Sequence, residues 1–466
     1  MTDVPKITGL GADEQDDFAA NLEQLRAKRA RNLLRAGLYD GKHALHQIGS
    51  IIPPSFYQTA VVLGWPAKAV DLLARRCNLD GFAMPGTDLA SLGYDELVDG
   101  TGLMSELNQA FTSALLHSTA FLTSTRDEAG NVSVHARDAL TATGIWSTKA
   151  RRLTSALTVS EWQDDKRTPK DFTLYRDGVT VTCRKAGSTW SVDRSEHPYG
   201  IPVEQIPYKP RLGRPFGSSR ISRPVISAYG AAVRTAIRME GHADVFSFPQ
   251  MILLGASSDV FKNADGSMKP AWQVALGRVF ALDDDVDNDE KANQRAEVKR
   301  FESASPEPHL KMLKQQAELF AGETSIPITS LGVSTDGNPT SAESYIASRE
   351  DLIAEAEGAT DDWTPPLRRT MARTLAMLNG EDGLPPEFLK IAPKFRSPIY
   401  TSRAAAADAG AKQINAVPWL AETTVGLEAL GFDSQQVERA LAEKSRAEAS
   451  QRAATLLEAA RNGLSG

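Results

Sequence analysis

Apolar residues recur at helical spacing over several long stretches of the chain, and the most informative runs from Arg214 to Gly255. At roughly 100° per residue, a helix there puts Ile221, Val225, Tyr229, Val233, Ile237 and Glu240 on one face. Arg223, Arg234 and Arg238 then fall on the opposite side, within an arc of roughly 60°, and Arg220 joins them if the helix reaches back that far. An apolar face opposite a cationic stripe suits a helix lining a polar channel or a subunit boundary, and equally a plain amphipathic surface helix.

Other elements follow from the same periodicities. Phe18, Leu22, Leu25 and Leu33 predict a helix between Asp13 and Gly37, with Arg26, Lys28, Arg29, Arg31 and Arg35 expected as a solvated basic face. Trp65 to Cys77 is helical with Ala69, Val70, Leu73 and Ala74 inward, and Tyr94 to Phe121 reads as a helix or a pair, with His117 a core histidine. From Asn131 the period changes to two. Phe172 to Arg184 is a hairpin turning at Asp177-Gly178, with Trp190 and Val192 extending the sheet. His197 to Arg211 is proline-punctuated and extended. Short strands are expected at Gln250 to Gly255 and Gln273 to Leu282. Ser305-Pro306 opens a further helix with the stripe Leu310, Leu313, Ala317 and Phe320. Thr340 and Glu343 form a capping box ahead of a long stripe from Tyr345 to Leu378, where Pro365-Pro366 should kink or split the helix. After a proline-rich link, Leu384 to Pro398, the alanine-rich stretch from Ser402 to Leu464 reads as short helices divided at Pro418 and Gly431.

Composition narrows the function. A chain of 466 residues amounts to about three domain-sized units at ~150 residues each. Its 41% hydrophobic and 24% charged residues are those of a folded globular protein. A net charge of −7 argues against sequence-independent wrapping of nucleic acid, so any DNA contact must be local. Cys77 and Cys183 are the only cysteines, which fits a reducing compartment. No apolar run approaches the roughly 18 residues of a membrane span, and none follows a basic start; the protein is expected to be soluble and cytoplasmic when made.

Catalytic chemistry is missing from the sequence. GFAMPG followed by Thr87 has phosphate-loop glycine spacing but no lysine, and neither a GxSxG elbow nor an HExxH helix occurs. His43 and His46 have no acidic or cysteine companion. The alternating acids Asp283, Asp285, Asp287 and Asp289 invite a calcium-loop reading. Asn288 stands where the glycine is required and Gln294 where the bidentate glutamate is required, so the run is taken as an exposed acidic loop. No catalytic, cofactor-binding or metal site is expected.

The order of the pieces resembles the portal proteins of tailed double-stranded DNA bacteriophages, in the branch found in phages of actinobacteria. The likeness is carried by YDGKH at Tyr39 to His43, WPAKAVDLLARR at Trp65 to Arg76, GRPFGSSRISRPVISAYGAAVRTAIRMEGHADVFSFPQMILLG, and ELFAGETSIPITSLGVSTDGNPTSAESYIASRE at Glu318 to Glu350. It runs in order over roughly Leu33 to Leu378.

The resemblance implies an α+β, mainly helical fold assembled as a ring, usually of twelve, without catalysis of its own. It implies a wing (1–214), a stem helix (215–247), a clip (248–300), a second stem helix (301–322), a tunnel-loop segment (323–340), a long spine helix (341–380) and a crown (381–466). Ser334, Thr335, Asp336 and Asn338, with Gly337, would face passing DNA without holding it, because they offer hydrogen bonds and no net positive charge. Arg220, Arg223, Arg234 and Arg238 would face either phosphates or the next subunit. Implied partners are double-stranded DNA, the major capsid and scaffold proteins, the terminase large subunit and a head-tail adaptor, with no membrane. The implied location is the virion's portal vertex, reached from the host cytoplasm during assembly. The competing readings are a non-channel adaptor or collar protein and a DNA-packaging enzyme.

Overall fold

A computed structural model describes residues 4–42, 61–127, 129–246, 251–254, 262–263, 265–268, 297–300, 304–333, 349–399, 403–432 and 434–463. The chain divides into two compact units, Met1–Pro398 and Ile399–Gly466. The first opens with α1 (Ala12–Tyr39), α2 (Trp65–Ala74), β1 (Leu79–Ala83), α3 (Tyr94–Thr101) and α4 (Leu103–His117). A run of strands follows: β2 (Thr119–Arg126), β3 (Val132–Asp138), β4 (Ala142–Ser147), β5 (Arg152–Trp162), β6 (Pro169–Arg176), β7 (Val179–Ala186), β8 (Thr189–Glu196) and β9 (Val203–Pro207). The unit is completed by α5 (Arg223–Phe246), β10 (Met251–Leu254), β11 (Glu297–Arg300), α6 (Glu307–Thr324), α7 (Glu350–Leu378) and β12 (Ala392–Phe395).

Strands β4 to β8 form an antiparallel meander in sequence order. The Asp177-Gly178 hairpin lies where expected, Arg176 opposite Val179 and Gly178 at φ 75°. Helix α1 packs on this sheet through Phe18, Leu22 and Leu25, all buried, and the Phe18 and Phe172 rings stack at 4.5 Å. Two acids of its first half are paired with the sheet: Glu14 with Arg194 at 2.6 Å and Asp17 with Arg176 at 2.7 Å. Its basic second half is not the uniformly solvated face that the sequence suggested. Arg35 is buried, Lys28 sits 4.2 Å over the Phe216 ring, and Arg29 lies over Trp162, while Leu33 is 48% exposed.

A second sheet, ordered β3-β2-β9, lies against the largest core. Six consecutive residues of β2, Thr119 to Ser124, are buried, because α4 covers one side and α7 contributes to the other through a 3.0 Å contact between Ser124 Oγ and Thr374 Oγ1. The stretch expected as a helix or a pair is the pair α3 and α4, broken at Gly102 (φ 64°) and ending at His117, so Phe121 belongs to β2. At the centre of the core Phe111 of α4 and Trp363 of α7 stack at 4.5 Å and 4°, and the indole N–H donates to Pro207 O at 2.8 Å.

Three expectations change. Pro365-Pro366 does not split α7, which runs continuously from Glu350 to Leu378; burial of Trp363, Pro366, Leu367 and Met371 on either side outweighs the two missing backbone donors. The presumed linker Leu384 to Pro398 contains β12, which pairs with β1, so this segment is part of the first unit. In the second unit, α8 (Arg403–Ala416), α9 (Thr424–Ala429) and α10 (Ser434–Gly463) are divided near Pro418 and Gly431, but α10 is 30 residues long. The strand at Met251–Leu254 pairs with β11, which no periodicity flagged. The expected strand at 273–282, the acidic run 283–290, the pair His43 and His46, and the Thr340/Glu343 cap lie outside the described residues.

The Trp363 contacts generate a stability prediction. Trp363→Ala should cost about 3–5 kcal/mol in denaturant titration. Trp363→Phe, which keeps a stacking ring but leaves Pro207 O without its donor, should cost about 1–3 kcal/mol. Equal losses would mean that the stack contributes nothing beyond the hydrogen bond.

Candidate functional site: a helix pair and its buried ionic anchor

The segment before α5 is shaped by one glycine. Gly217 sits at φ 69°, and a Cβ there would lie 2.1 Å from Tyr208 O. Only glycine lets the chain close onto Tyr208, where Ser218 N–H donates to the same carbonyl at 2.7 Å. That turn carries Arg220 inward. Its side chain is 2% exposed; Nη1 lies 2.6 Å from Glu355 Oε2 of α7 and 3.2 Å from the Tyr208 hydroxyl. The other guanidinium nitrogens donate to Ala69 O of α2 and Thr324 O at the end of α6. Glu355 also accepts from Tyr208 Oη at 2.5 Å and pairs with Lys209.

Arg220 is therefore not a member of the arginine stripe, contrary to the expectation that it faces a channel or a neighbouring subunit. The reason is local: α5 begins at Arg223 behind Ser222, whose hydroxyl accepts from Val225 N–H at 3.4 Å, so the helical phase does not extend back to position 220. Glu355 was missed by sequence reasoning although a signal existed. It stands three residues after Leu352 and four before Ala359, within a stripe that is otherwise buried.

Helices α5 and α6 run antiparallel. At one end Arg220, just ahead of α5, holds Thr324 at the close of α6; at the other the His242 and His309 rings stand 5.4 Å apart. The apolar face of α5 is as expected, with Ile221 before it and Val225, Tyr229, Val233 and Ile237 along it buried, whereas Glu240 is exposed rather than on that face. On α6, Ala317 and Phe320 are buried and Leu313 partly so, but Leu310 is 50% exposed. Arg223 and Arg238 are exposed and Arg234 is half-buried. None of the three has a hydrogen bond or ion pair among the described residues.

After α6 the chain is fastened before it enters the segment expected to be a tunnel loop. Trp65 Nε1 donates to Leu331 O at 3.2 Å and Lys68 Nζ to Ser330 O at 2.6 Å. Two of the sequence blocks quoted above thus meet through backbone carbonyls. Ser334, Thr335, Asp336 and Asn338 lie outside the described residues. Among the described residues no group of three His, Cys, Asp or Glu side chains could hold a metal ion, and no helix is long and apolar enough to cross a membrane. Burial pushes the thiols of Cys77 and Cys183 up to about 12, so both are protonated near neutrality.

The first unit is thus an α+β core carrying an antiparallel helix pair. Residues 19–449 match the family described as "Phage portal protein, SPP1 Gp6-like", and the chain belongs to that family. It is 24% identical over 385 residues to the portal protein of Mycobacterium phage L5, covering 80% of this chain and 76% of that one. It is 23% identical over 385 residues to the portal protein of Mycobacterium phage D29, covering 80% and 77%. Among solved structures it is similar, at 15% identity and a TM-score of 0.39, to a chain from the neck of a native gene transfer agent particle computed with C12 symmetry, over 78% of this chain and 89% of that one. A chain from the neck of an empty particle computed with C6 symmetry gives 16% identity and a TM-score of 0.40, over 76% and 86%.

Removing one member of the buried pair strands the other. Arg220→Met or Glu355→Leu alone should cost about 3–5 kcal/mol in unfolding free energy, and the double substitution should recover most of that loss. Burial raises the Glu355 carboxyl, but Arg220, Lys209 and Tyr208 together outweigh it, so its pKa is lowered. A folded value below the unfolded one means that the stability it contributes is present above the unfolded carboxylate range and lost as pH falls through the folded value. Glu355→Gln should accordingly flatten the stability profile below about pH 4.3. An unchanged acid limb would place the acid sensitivity elsewhere.

Proposed function

We propose that this chain is the subunit of a portal ring, the head-tail connector at one capsid vertex through which double-stranded DNA is packaged and ejected. The match to the portal family over residues 19–449 carries the reading. In it α5 and α6 form the stem pair, residues 248–300 the clip that meets the terminase motor and later the head-tail adaptor, α7 the spine, and the second unit the crown. The α1 to β9 region forms the wing, towards capsid and scaffold proteins. Residues 323–340 supply the tunnel-loop segment, in which Ser334, Thr335, Asp336 and Asn338 offer hydrogen bonds without net positive charge, so that DNA slides without being held. The location is the virion, assembled in the host cytoplasm, and the ring is a homo-oligomer, a dodecamer by family analogy. A portal family is structural, so the packaging-enzyme reading is not favoured, and neither is the smaller adaptor.

A closed ring joins two different faces of each copy. Arg223, Arg234 and Arg238, which have no partner among the described residues, supply cations for one such face, meeting acids of the next subunit. Electron microscopy of the purified protein should show ring particles with a central hole; a uniformly monomeric or dimeric species at high concentration would refute the ring. Arg234→Glu combined with Arg238→Glu should reduce rings, or DNA-filled heads, by about tenfold or more, as expected for two lost charge pairs near an interface. Normal rings and normally filled heads from that variant would leave the stripe without a role.

A further inference from the structure

The two halves of α1 differ in how their charge is balanced. Glu14 and Asp17 in the first half are paired with Arg194 and Arg176. In the second half Lys28, Arg31 and Arg35 fall at positions i, i+3 and i+7, on one face, and Arg214 from the connector before α5 joins them. Arg214 repels Arg31 and Arg35, and Arg31 repels Lys28 and Arg35. No carboxylate is paired with any of the four among the described residues. Their other contacts only position them: Lys28 Nζ lies over the Phe216 ring, and the buried Arg35 donates from Nη1 to His117 O at 3.2 Å.

Arg31 thus repels each of the other three cations, and two of the four are largely withdrawn from water, an arrangement that an anion would relieve. Burial first, and then Arg31, push the Lys28 ammonium down to about 8; burial, Arg31 and Arg214 push Arg35 down to about 10. A single carboxylate would neutralise only one of the four. Lys28 and Arg35 are seven residues apart, about 10 Å along a helix, a span over which duplex DNA presents a charge every ~1.7 Å. Guanidinium groups also match phosphate geometry.

We infer that the face formed by Lys28, Arg31 and Arg214, with the buried Arg35 adding its charge from behind, binds the phosphate backbone of double-stranded DNA, at residues separate from the α5 arginine stripe. The contact is local, in keeping with the net charge of −7. It does not depend on ring formation, so it can hold or fail independently of the portal reading.

The test is fluorescence anisotropy of a short labelled duplex with the full-length protein at several salt concentrations. Arg31→Glu with Arg214→Glu, both exposed positions, should lower affinity at least about tenfold and reduce the slope of log K against log salt by about 2, one phosphate contact per residue. Unchanged affinity and slope would overturn the inference. So would loss of binding in Arg234→Glu/Arg238→Glu but not in Arg31→Glu/Arg214→Glu, a result that leaves the portal reading intact. Displacement of DNA by inorganic phosphate or polyglutamate at matched charge, as readily as by unlabelled DNA, would equally overturn it. Lys28→Met, which keeps an apolar stem on Phe216, supplies a second measurement. Proton uptake on DNA binding near pH 8, measured calorimetrically in buffers of different ionisation enthalpy, should occur in the wild type and vanish in this variant; its persistence would exclude Lys28 from the site.

Discussion

The Arg220–Glu355 ion pair is the constraint on which the arrangement of the first unit depends. With both side chains buried, each charge is tolerable only because the other is there and because carbonyls and a hydroxyl satisfy the remaining donors. Those satisfying groups come from α2, the connector after β9 and the end of α6, while the carboxylate comes from α7. One guanidinium therefore ties four separate parts of the chain to the entry of α5. An apolar pair of the same volume would fill the space, but would not require those carbonyls to converge on one point.

From that anchor the chain leaves along α5 and returns along α6. The outgoing end is held by the turn at Gly217, where a side chain would collide with Tyr208 O. The returning end is held by Thr324, and the chain beyond it by Trp65 and Lys68 through the carbonyls of Leu331 and Ser330. The base of the hairpin and the chain as far as Leu331 are thus fixed by the same core. The strand pair β10 and β11 connects the two helices beyond their far ends. A helix pair anchored at its base in this way can carry an arginine stripe without relying on that stripe for its own stability.

Electrostatics in this chain is regional rather than global. The excess of acid sets the overall sign, while one face in the second half of α1 and one side of α5 stay cationic because no carboxylate among the described residues pairs with them. In the first half of α1 the opposite holds, and every ion pair there serves the packing of helix on sheet.

Much of the local structure is legible in the sequence. The period of apolar residues places α1, α2, the α3–α4 pair and α5, and Asp177-Gly178 places its hairpin, because these depend on neighbours within a few residues. The ordered motifs also identify the family, since they record which turns and close contacts the fold requires; Gly217 is one such position. What the tertiary structure alone decided is where periodicity meets long-range packing. Arg220 belongs to the core and not to the stripe because helix α5 starts three residues later and a carboxylate 135 positions away is waiting for it. Pro365-Pro366 stays helical because Trp363 beside it is held by α4 and by the end of β9, with Leu367 buried in the same core. The β12 strand exists only because β1, more than 300 residues earlier, offers it an edge. Sequence spacing determines which face a residue takes once its helix is in place; which groups meet that face, and at what distance, depends on chain segments that no local pattern can link.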